Sequence, residues 1–251
     1  MTLRTAWSQL KGIARSLRVY HGDRAHHRAM DALYAGFLKD GDLAFDIGAH
    51  VGDRISSFRR CGARVVAAEP QPACARVIRL LHGRDKGVTL VEAAVGAQAG
   101  SLTLRVNSAN PTVSTASADF VKAADGARGW EGQTWDREIV VPATTLDALI
   151  ARHGTPAFIK IDVEGFEIDV LNGLSQPVPA LSFEFTTIAR EVAYRCLDRA
   201  FELGYRHFNV ALGETQAMTF PAPATRDEMR AWLQALPHEA NSGDIYAMMS
   251  A

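Results

Sequence analysis

The chain has 251 residues, of which 47% are hydrophobic and 22% charged, which is sufficient for one large domain with a buried core. Its formal net charge of −1 gives no electrostatic basis for binding nucleic acid. No apolar run approaches the roughly 18 residues of a membrane span, so stable membrane insertion is not expected. Cys61, Cys74 and Cys196 form no CxxC pair, which predicts reduced thiols and a cytoplasmic location.

Residues 1–38 are predicted to form an N-terminal helical extension, and residues 39–251 the main domain. The extension is basic and has apolar residues at helical spacing. An amphipathic helix packed on the domain is favoured over a helix lying on a membrane surface. No apolar segment with a cleavage site is present, so a secretory signal is not expected.

From Leu43 onward, apolar strand patterns alternate with helical ones. The predicted strands are Leu43–Ile47, Val65–Ala68, Val88–Val91, Ser101–Val106, Phe158–Ile161, Ala180–Phe185, Tyr205–Val210 and Asp244–Met249, with a possible extension at Val140–Val141. The predicted helices are Asp53–Arg60, Pro72–Leu81, Thr145–Arg152, Phe166–Leu171, Ile188–Leu203 and Arg226–Leu236. This alternation predicts an α/β fold whose mostly parallel sheet binds ligands at the carboxyl ends of its strands.

The turn after the first strand is the most informative segment. Gly48 and Gly52 allow a ligand to approach the backbone, and the N–H groups of the following helix point toward it. Asp46 would repel a pyrophosphate but attract the positively charged S-adenosylmethionine, which favours that cofactor over NAD. Ala49 and His50 lie in the same turn. His50 is expected to contact the cofactor, or less readily to act as a base.

Two further strand ends are predicted to contact the cofactor. Glu69, followed by Pro70, ends the second strand 21 residues after Gly48, where an acid accepts hydrogen bonds from ribose hydroxyls. The alternative is a helix N-terminal carboxylate. Glu92 follows the third strand, where it could bind the adenine amino group while Ala93 leaves room for the ring. A solvated glutamate is an equal alternative at position 92.

Candidate catalytic residues follow the strand Phe158–Ile161. Lys160 and Asp162 share one face of this strand, and a lysine in an apolar strand needs a charged partner. Asp162 is the candidate base or orienting group, with Glu184 second and Lys160 keeping Asp162 ionised. Asp162, Glu164 and Glu184 could also hold a divalent cation, but carboxylates near a sulfonium need no metal, so none is predicted.

Residues 107–138 lack clear periodicity and are predicted to form an acceptor lid. Trp130 and Trp135 are suited to stacking on a sugar or ring, and Gly126, Gly129 and Gly132 would allow movement. The alternative is a surface insertion whose tryptophans only pack.

Five segments together resemble the FkbM-type S-adenosylmethionine-dependent methyltransferases: FDIGAHVGD, AAEP, TTLDALI, IKIDVEGFE and GDIYA. The resemblance implies a Rossmann-like seven-stranded methyltransferase fold with a reversed last strand. It also implies O-methylation of a hydroxyl on a small molecule or glycan, with cofactor roles for Asp46, Gly48, Gly52 and Glu69. Two positions depart from the usual pattern, because His50 and Glu92 stand where asparagine is common.

Other functions remain open at this point. An NAD(P)-dependent oxidoreductase would have G-x-G-x-x-G, whereas the spacing here is G-x-x-x-G. Enzymes that methylate adenine or C5 of cytosine in nucleic acid need an Asn/Asp-Pro-Pro-aromatic run or a Pro-Cys nucleophile, and neither is present. A non-catalytic module that binds the cofactor and a partner is the remaining alternative.

Overall fold

The computed structural model describes the backbone of residues 3–250 and the side chains of residues 7–250. Residues 1, 2 and 251, which the predicted domain ranges include, lie outside the described part.

Within the described range, ten strands and nine α-helices follow one another along the chain. The strands are β1 (Leu43–Ile47), β2 (Arg64–Ala68), β3 (Val88–Val91), β4 (Ala94–Val95), β5 (Gly100–Val106), β6 (Arg137–Thr144), β7 (Phe158–Ile161), β8 (Ala180–Thr186), β9 (His207–Leu212) and β10 (Ser242–Met248). The helices are α1 (Leu3–His21), α2 (Arg24–Tyr34), α3 (Asp53–Arg60), α4 (Pro72–His82), α5 (Ala118–Ala124), α6 (Leu146–His153), α7 (Glu167–Asn172), α8 (Arg190–Glu202) and α9 (Arg226–Ala235).

Seven strands form one sheet in the order β3-β2-β1-β7-β8-β10-β9. β10 runs antiparallel to both of its neighbours, and the remaining neighbouring pairs are parallel. The predicted seven-stranded, mostly parallel sheet with a reversed last strand is therefore confirmed. Its parallel strands end at one edge, where β1 and β7 lie side by side.

Helices cover both faces of this sheet. On one face, α6, α7, α8 and α9 pack against side chains such as Phe45 and Ile159. On the other face, α2, α3 and α4 pack against side chains such as Ala44 and Phe158. Central strands that are buried on both sides consist mostly of apolar residues. This is why β1 and β7 could be predicted from the sequence.

A second, three-stranded sheet has the order β4-β6-β5. It corrects the prediction for this region, because Val140–Val141 belongs to the eight-residue strand β6, which pairs antiparallel with β5 over its length. The segment 107–138 is also not irregular throughout, since it contains α5 and the start of β6. The short α5 is capped by the Ser117 hydroxyl and buries Phe120 and Ala124, so packing rather than periodicity stabilises it.

The N-terminal helices pack on the main domain, as the amphipathic pattern favoured. Met30 and Tyr34 of α2 are fully buried, and the Tyr34 ring lies edge-on to Phe58 of α3 at 4.7 Å between centroids. Ile13 of α1 is buried against Val51 and Cys74. Among the helices of residues 3–250, none combines the length and hydropathy needed to cross a membrane.

Candidate active site

The glycine turn after β1 brings two strand ends into backbone contact. Gly48 has a φ of 86°, and a Cβ at this position would overlap the carbonyl oxygen of Asp162 after β7. Gly52, with a φ of 81°, directly precedes α3. Only glycine combines this backbone conformation with so close an approach, so the turn fixes Asp162 beside the first turn of α3.

Glu69 lies at the end of β2 and is 2% exposed. One carboxylate oxygen accepts a hydrogen bond from the His50 backbone N–H and the other from that of Gln71, both at 2.7 Å. Burial raises the pKa of Glu69 to about 8, although these two N–H groups act in the opposite direction. The carboxyl group therefore joins the ends of β1 and β2 while it lines a cavity.

The space within that cavity amounts to about 530 Å³, which includes space open to solvent. Glu69 and Pro70 are part of its lining, and apolar residues form just over half of the rest: Ile47, Ala68, Ala93, Ala94, Val95, Leu104, Ala116, Val163 and Phe166. A carboxyl group beside an apolar slot is suited to a ligand that has both hydroxyl groups and a flat apolar ring.

A second cavity, with about 440 Å³ of space that includes space open to solvent, adjoins the first and is lined mainly by polar and charged residues. Its lining includes Tyr20, Asp46, Ala49, Asp53, Arg54, Lys160 and Glu214. Both cavities are lined by Gly48, His50, Thr112 and Asp162, so they meet at the glycine turn. The arrangement has an apolar compartment and a charged one with Asp162 at their junction.

His50 occupies a constrained position at this junction. Its φ of 48° is uncommon for a residue with a side chain, and histidine is one of the few residue types enriched in this left-handed region. The ring lies edge-on to Tyr20 of α1 at 5.5 Å. Burial lowers its pKa to about 4, so the imidazole is neutral near pH 7.

Lys160 of β7 is 1% exposed and forms two ion pairs. Its ammonium lies 3.0 Å from Asp162 Oδ2 and 2.7 Å from Asp244 Oδ1 of β10. Burial acts to raise the pKa of Asp162, but Lys160 and then Arg54 outweigh it, so the net pKa is lowered and Asp162 is ionised. The predicted partnership of Lys160 and Asp162 is present, and Asp244 is a second partner.

Three carboxyl groups meet at the ends of β7 and β8. Asp162, Glu164 and Glu184 each have an oxygen within 4.8 Å of the other two. Burial raises the pKa of Glu164 and of Glu184 well above the usual range, and the neighbouring carboxylates raise it further. Glu167 is separate, because it accepts hydrogen bonds from the N–H groups of Val163 and Gly165 and so shapes this loop.

The structure does not bring every predicted residue to the cavities. Glu92 is partly exposed, forms an ion pair with Arg79 of α4 and lines neither cavity, so its contact with adenine stays a prediction. Gly52 shapes the start of α3 without lining either cavity. Glu184 also lines neither of them and reaches the site only through its proximity to Asp162.

The two tryptophans also differ from the prediction. Trp130 and Trp135 pack edge-on against Phe120 in a small core and donate hydrogen bonds to Asn241 Oδ1 and to the Val113 carbonyl. The ring of Trp130 is buried and therefore not free to stack on an acceptor, whereas that of Trp135 is partly exposed.

The sequence did not single out Tyr20, Asp53, Arg54, Thr112 or Glu214 of the charged compartment, nor Asp244 beside Lys160. Arg54 forms ion pairs with Asp53 and with Glu214, 160 residues further along the chain. Tyr20 and Asp244 come from α1 and β10. A cation in the first turn of a helix opposes the helix dipole, and this was the available signal for Arg54.

The residues around the cavities fit a cationic nucleoside. Carboxyl groups far outnumber the cations Lys160 and Arg54 at this edge: Asp46, Asp53, Glu69, Asp162, Glu164, Glu184 and Asp244. Asp46 Oδ2, Gln71 Oε1 and Glu164 Oε2 are buried without a hydrogen-bond partner among the described residues. Because buried polar atoms are normally paired, these atoms indicate a ligand. The excess of carboxyl groups favours a positive ligand, whose charge would lower the raised pKa values of Asp46, Glu69, Glu164 and Glu184.

Strand order, glycine turn and acidic strand ends together define a Rossmann-like methyltransferase. The model of the methyltransferase FkbM domain matches residues 46–237, and the chain belongs to this family. Its cofactor is S-adenosylmethionine.

Two solved structures illustrate the similarity of the fold. Precorrin-6Y C5,15-methyltransferase from Geobacter metallireducens is 15% identical with a TM-score of 0.45, and the match covers 88% of this chain and 87% of that one. Fibrillarin from Aeropyrum pernix, solved with bound S-adenosyl-L-methionine, is 10% identical with a TM-score of 0.44, and the match covers 87% and 73%. No curated protein matches the chain.

The buried Asp46 leads to a prediction about stability and pH. Burial, followed by the charge of Asp53, raises its pKa to about 7, against about 3.9 in an unfolded chain. Between these values the folded state binds more protons than the unfolded state, so Asp46 makes stability fall as pH rises. In urea unfolding at pH 5, 6 and 7 without cofactor, Asp46→Asn should lessen this fall by up to about 1.4 kcal/mol per pH unit.

The exposed Asp227→Asn on α9 serves as the matched control and should keep the parent's pH dependence. An Asp46→Asn protein with the same pH dependence as the parent would show that this carboxyl group is not held protonated by burial.

Proposed function

We propose that this methyltransferase transfers a methyl group to a hydroxyl oxygen of a small molecule or glycan. The observation that carries the proposal is the junction of the two cavities, where the ionised Asp162 lies between the apolar compartment with Glu69 and the charged compartment. Because the chain belongs to a methyltransferase family, the alternative of an NAD(P)-dependent oxidoreductase is dropped. The free thiols of Cys61, Cys74 and Cys196 support a cytoplasmic location.

The apolar compartment would hold the nucleoside part of the cofactor. Glu69 would accept hydrogen bonds from the ribose hydroxyls, and Ala93 and Val95 would line the ring. Asp46, with one buried unpartnered oxygen, would attract the positive charge of the methionine part. When bound, S-adenosylmethionine supplies an electrophilic methyl group on a sulfonium.

Asp162 would act on the acceptor. Its side chain is 34% exposed, and Lys160 holds it ionised. Asp162 would take the proton of the acceptor hydroxyl, while bound S-adenosylmethionine would supply the methyl group to the acceptor oxygen and keep the electron pair of its carbon–sulfur bond on sulfur. Glu184 is the second candidate for this proton, because it lies within 4.8 Å of Asp162.

Residues 107–138 would cover the site as an acceptor lid. Thr112, Ser114 and Ala116 line the apolar compartment, and the Thr115 hydroxyl donates a 2.6 Å hydrogen bond to the carbonyl of Glu164. Trp135 stabilises this wall, since its ring N–H donates a 2.8 Å hydrogen bond to the Val113 carbonyl. The tryptophans would therefore position the lid rather than contact the acceptor.

The cofactor assignment predicts the effect of Glu69→Ala. Loss of its charge-assisted hydrogen bonds should weaken S-adenosylmethionine binding by about 1–3 kcal/mol, as measured by calorimetric titration. Glu202→Ala on the surface of α8 is the control and should bind as the parent does. Binding by Glu69→Ala at the parent's affinity would remove Glu69 from the cofactor site.

The reaction is tested with labelled S-adenosylmethionine and a panel of glycans, polyketide alcohols and other small alcohols. On an acceptor that is methylated, Asp162→Asn should lower kcat by about 10²- to 10⁴-fold if Asp162 removes the proton. Asp227→Asn is the control for the same chemical change on the surface. Full turnover by Asp162→Asn would exclude it as the base, and cofactor binding with no methylated acceptor in the panel would favour the non-catalytic module.

The lid assignment predicts that Trp135→Ala impairs methyl transfer. Thr112, Ser114 and Ala116 line the compartment assigned to the nucleoside, and Thr112 also lines the charged compartment, so without the indole kcat/KM for the acceptor should fall at least about tenfold and the cofactor Kd should rise as well. Trp7→Ala, at an exposed tryptophan of α1, is the matched control. Unchanged kcat/KM in a folded Trp135→Ala protein would make the segment a surface insertion.

A further inference from the structure

Asp162, Glu164 and Glu184 form a carboxylate cluster that the protein's own cations do not neutralise. One oxygen from each lies within 4.8 Å of the others. The described ion pairs of Lys160 join it to Asp162 and Asp244 but not to Glu164 or Glu184. Because like charges at this separation repel one another, a proton or a bound cation must lie among the three groups.

Glu164 provides the independent observation that points to a ligand. The residue is 6% exposed, and its Oε2 is buried without a hydrogen-bond partner among the described residues. Glu184 Oε2 is buried and without a partner in the same way. Two unpartnered carboxylate oxygens thus lie next to Asp162 in a region where buried polar atoms are normally paired.

We propose that Asp162, Glu164 and Glu184 bind a divalent cation that prefers oxygen ligands, such as Mg²⁺ or Mn²⁺. Carboxylates are the ligands these ions prefer. Ligand oxygens at about 2.0–2.6 Å from an ion lie up to roughly 4–5 Å apart across it, so the observed spacing needs little rearrangement. Three protein ligands leave positions for water.

The cation site gives a more specific substrate class. Since Asp162 is partly exposed to the cavities, an acceptor with two neighbouring oxygens would replace two waters on the ion. The ion would then lower the pKa of one hydroxyl, and its proton would pass to water. With an ion bound, Asp162 would position the acceptor through the ion instead of taking the proton itself. This step rests on the proposed function, whereas the cation site itself does not.

Cation binding is measured on the full chain after chelator treatment, without cofactor or acceptor. Electron paramagnetic resonance titration with Mn²⁺ should show one bound ion per chain that Mg²⁺ displaces. Glu164→Gln and Glu184→Gln should each weaken Mn²⁺ binding at least about tenfold, whereas Glu202→Gln on the exposed surface of α8 should not. Equal Mn²⁺ affinity in the parent and both cluster variants would overturn the proposal.

Thermal unfolding provides a second readout. Mg²⁺ should raise the Tm of the parent but not of Glu164→Gln, because an ion that binds only the folded state stabilises it. Without metal, Glu164→Gln removes one of three mutually repelling groups, so it should fold and not lose stability. If Mg²⁺ leaves the parent's Tm unchanged and no Mn²⁺ binds, the cation site is rejected, and Asp162 and Glu184 share a proton instead. This conclusion does not depend on which acceptor the enzyme methylates.

Discussion

The ammonium of Lys160 is the charge on which the arrangement of the strand ends depends. It lies on the central strand β7, between β1 and β8, and binds Asp162 and Asp244. Removal of a buried cation leaves its partners uncompensated, which costs about 3–5 kcal/mol. Because Asp244 comes from the antiparallel β10, this one ammonium connects the ligand-binding edge of the parallel strands to the reversed strand. The position of the candidate base is thus set by the same contact that helps fix the strand order.

Around Lys160 the site contains more carboxyl groups than the fold requires. Burial raises the pKa of Asp46 to about 7 and that of Glu69 to about 8, so neither carboxyl group is at its most stable in the protein alone. A core of the same shape with apolar side chains would avoid this penalty. Groups kept in an unfavourable state are common at functional sites, and here a cationic cofactor would relieve it.

Local pattern was enough to predict the parts of the site that one strand and its following turn determine. An apolar run, two glycines and an acid at the right spacing define the turn at Gly48 and the position of Glu69, because backbone conformation is set nearby in sequence. The direction of the Glu92 side chain could not be predicted from local pattern, because it depends on the ion pair with Arg79 of α4. Trp130 and Trp135 likewise depend on Phe120, whose burial in α5 has no periodic signal.

The remaining parts come from segments that are distant along the chain. The family match begins at residue 46, yet α1 supplies Tyr20, whose ring contacts His50, and His21, whose ring nitrogen lies 3.0 Å from the Val51 carbonyl. Tyr20 lines the charged compartment and not the apolar one. The apolar compartment is therefore built from the matched domain alone, whereas the charged compartment is completed by a helix before it. The position of Tyr20 in the charged compartment thus depends on how α1 packs against the glycine turn, which no motif within residues 46–237 encodes.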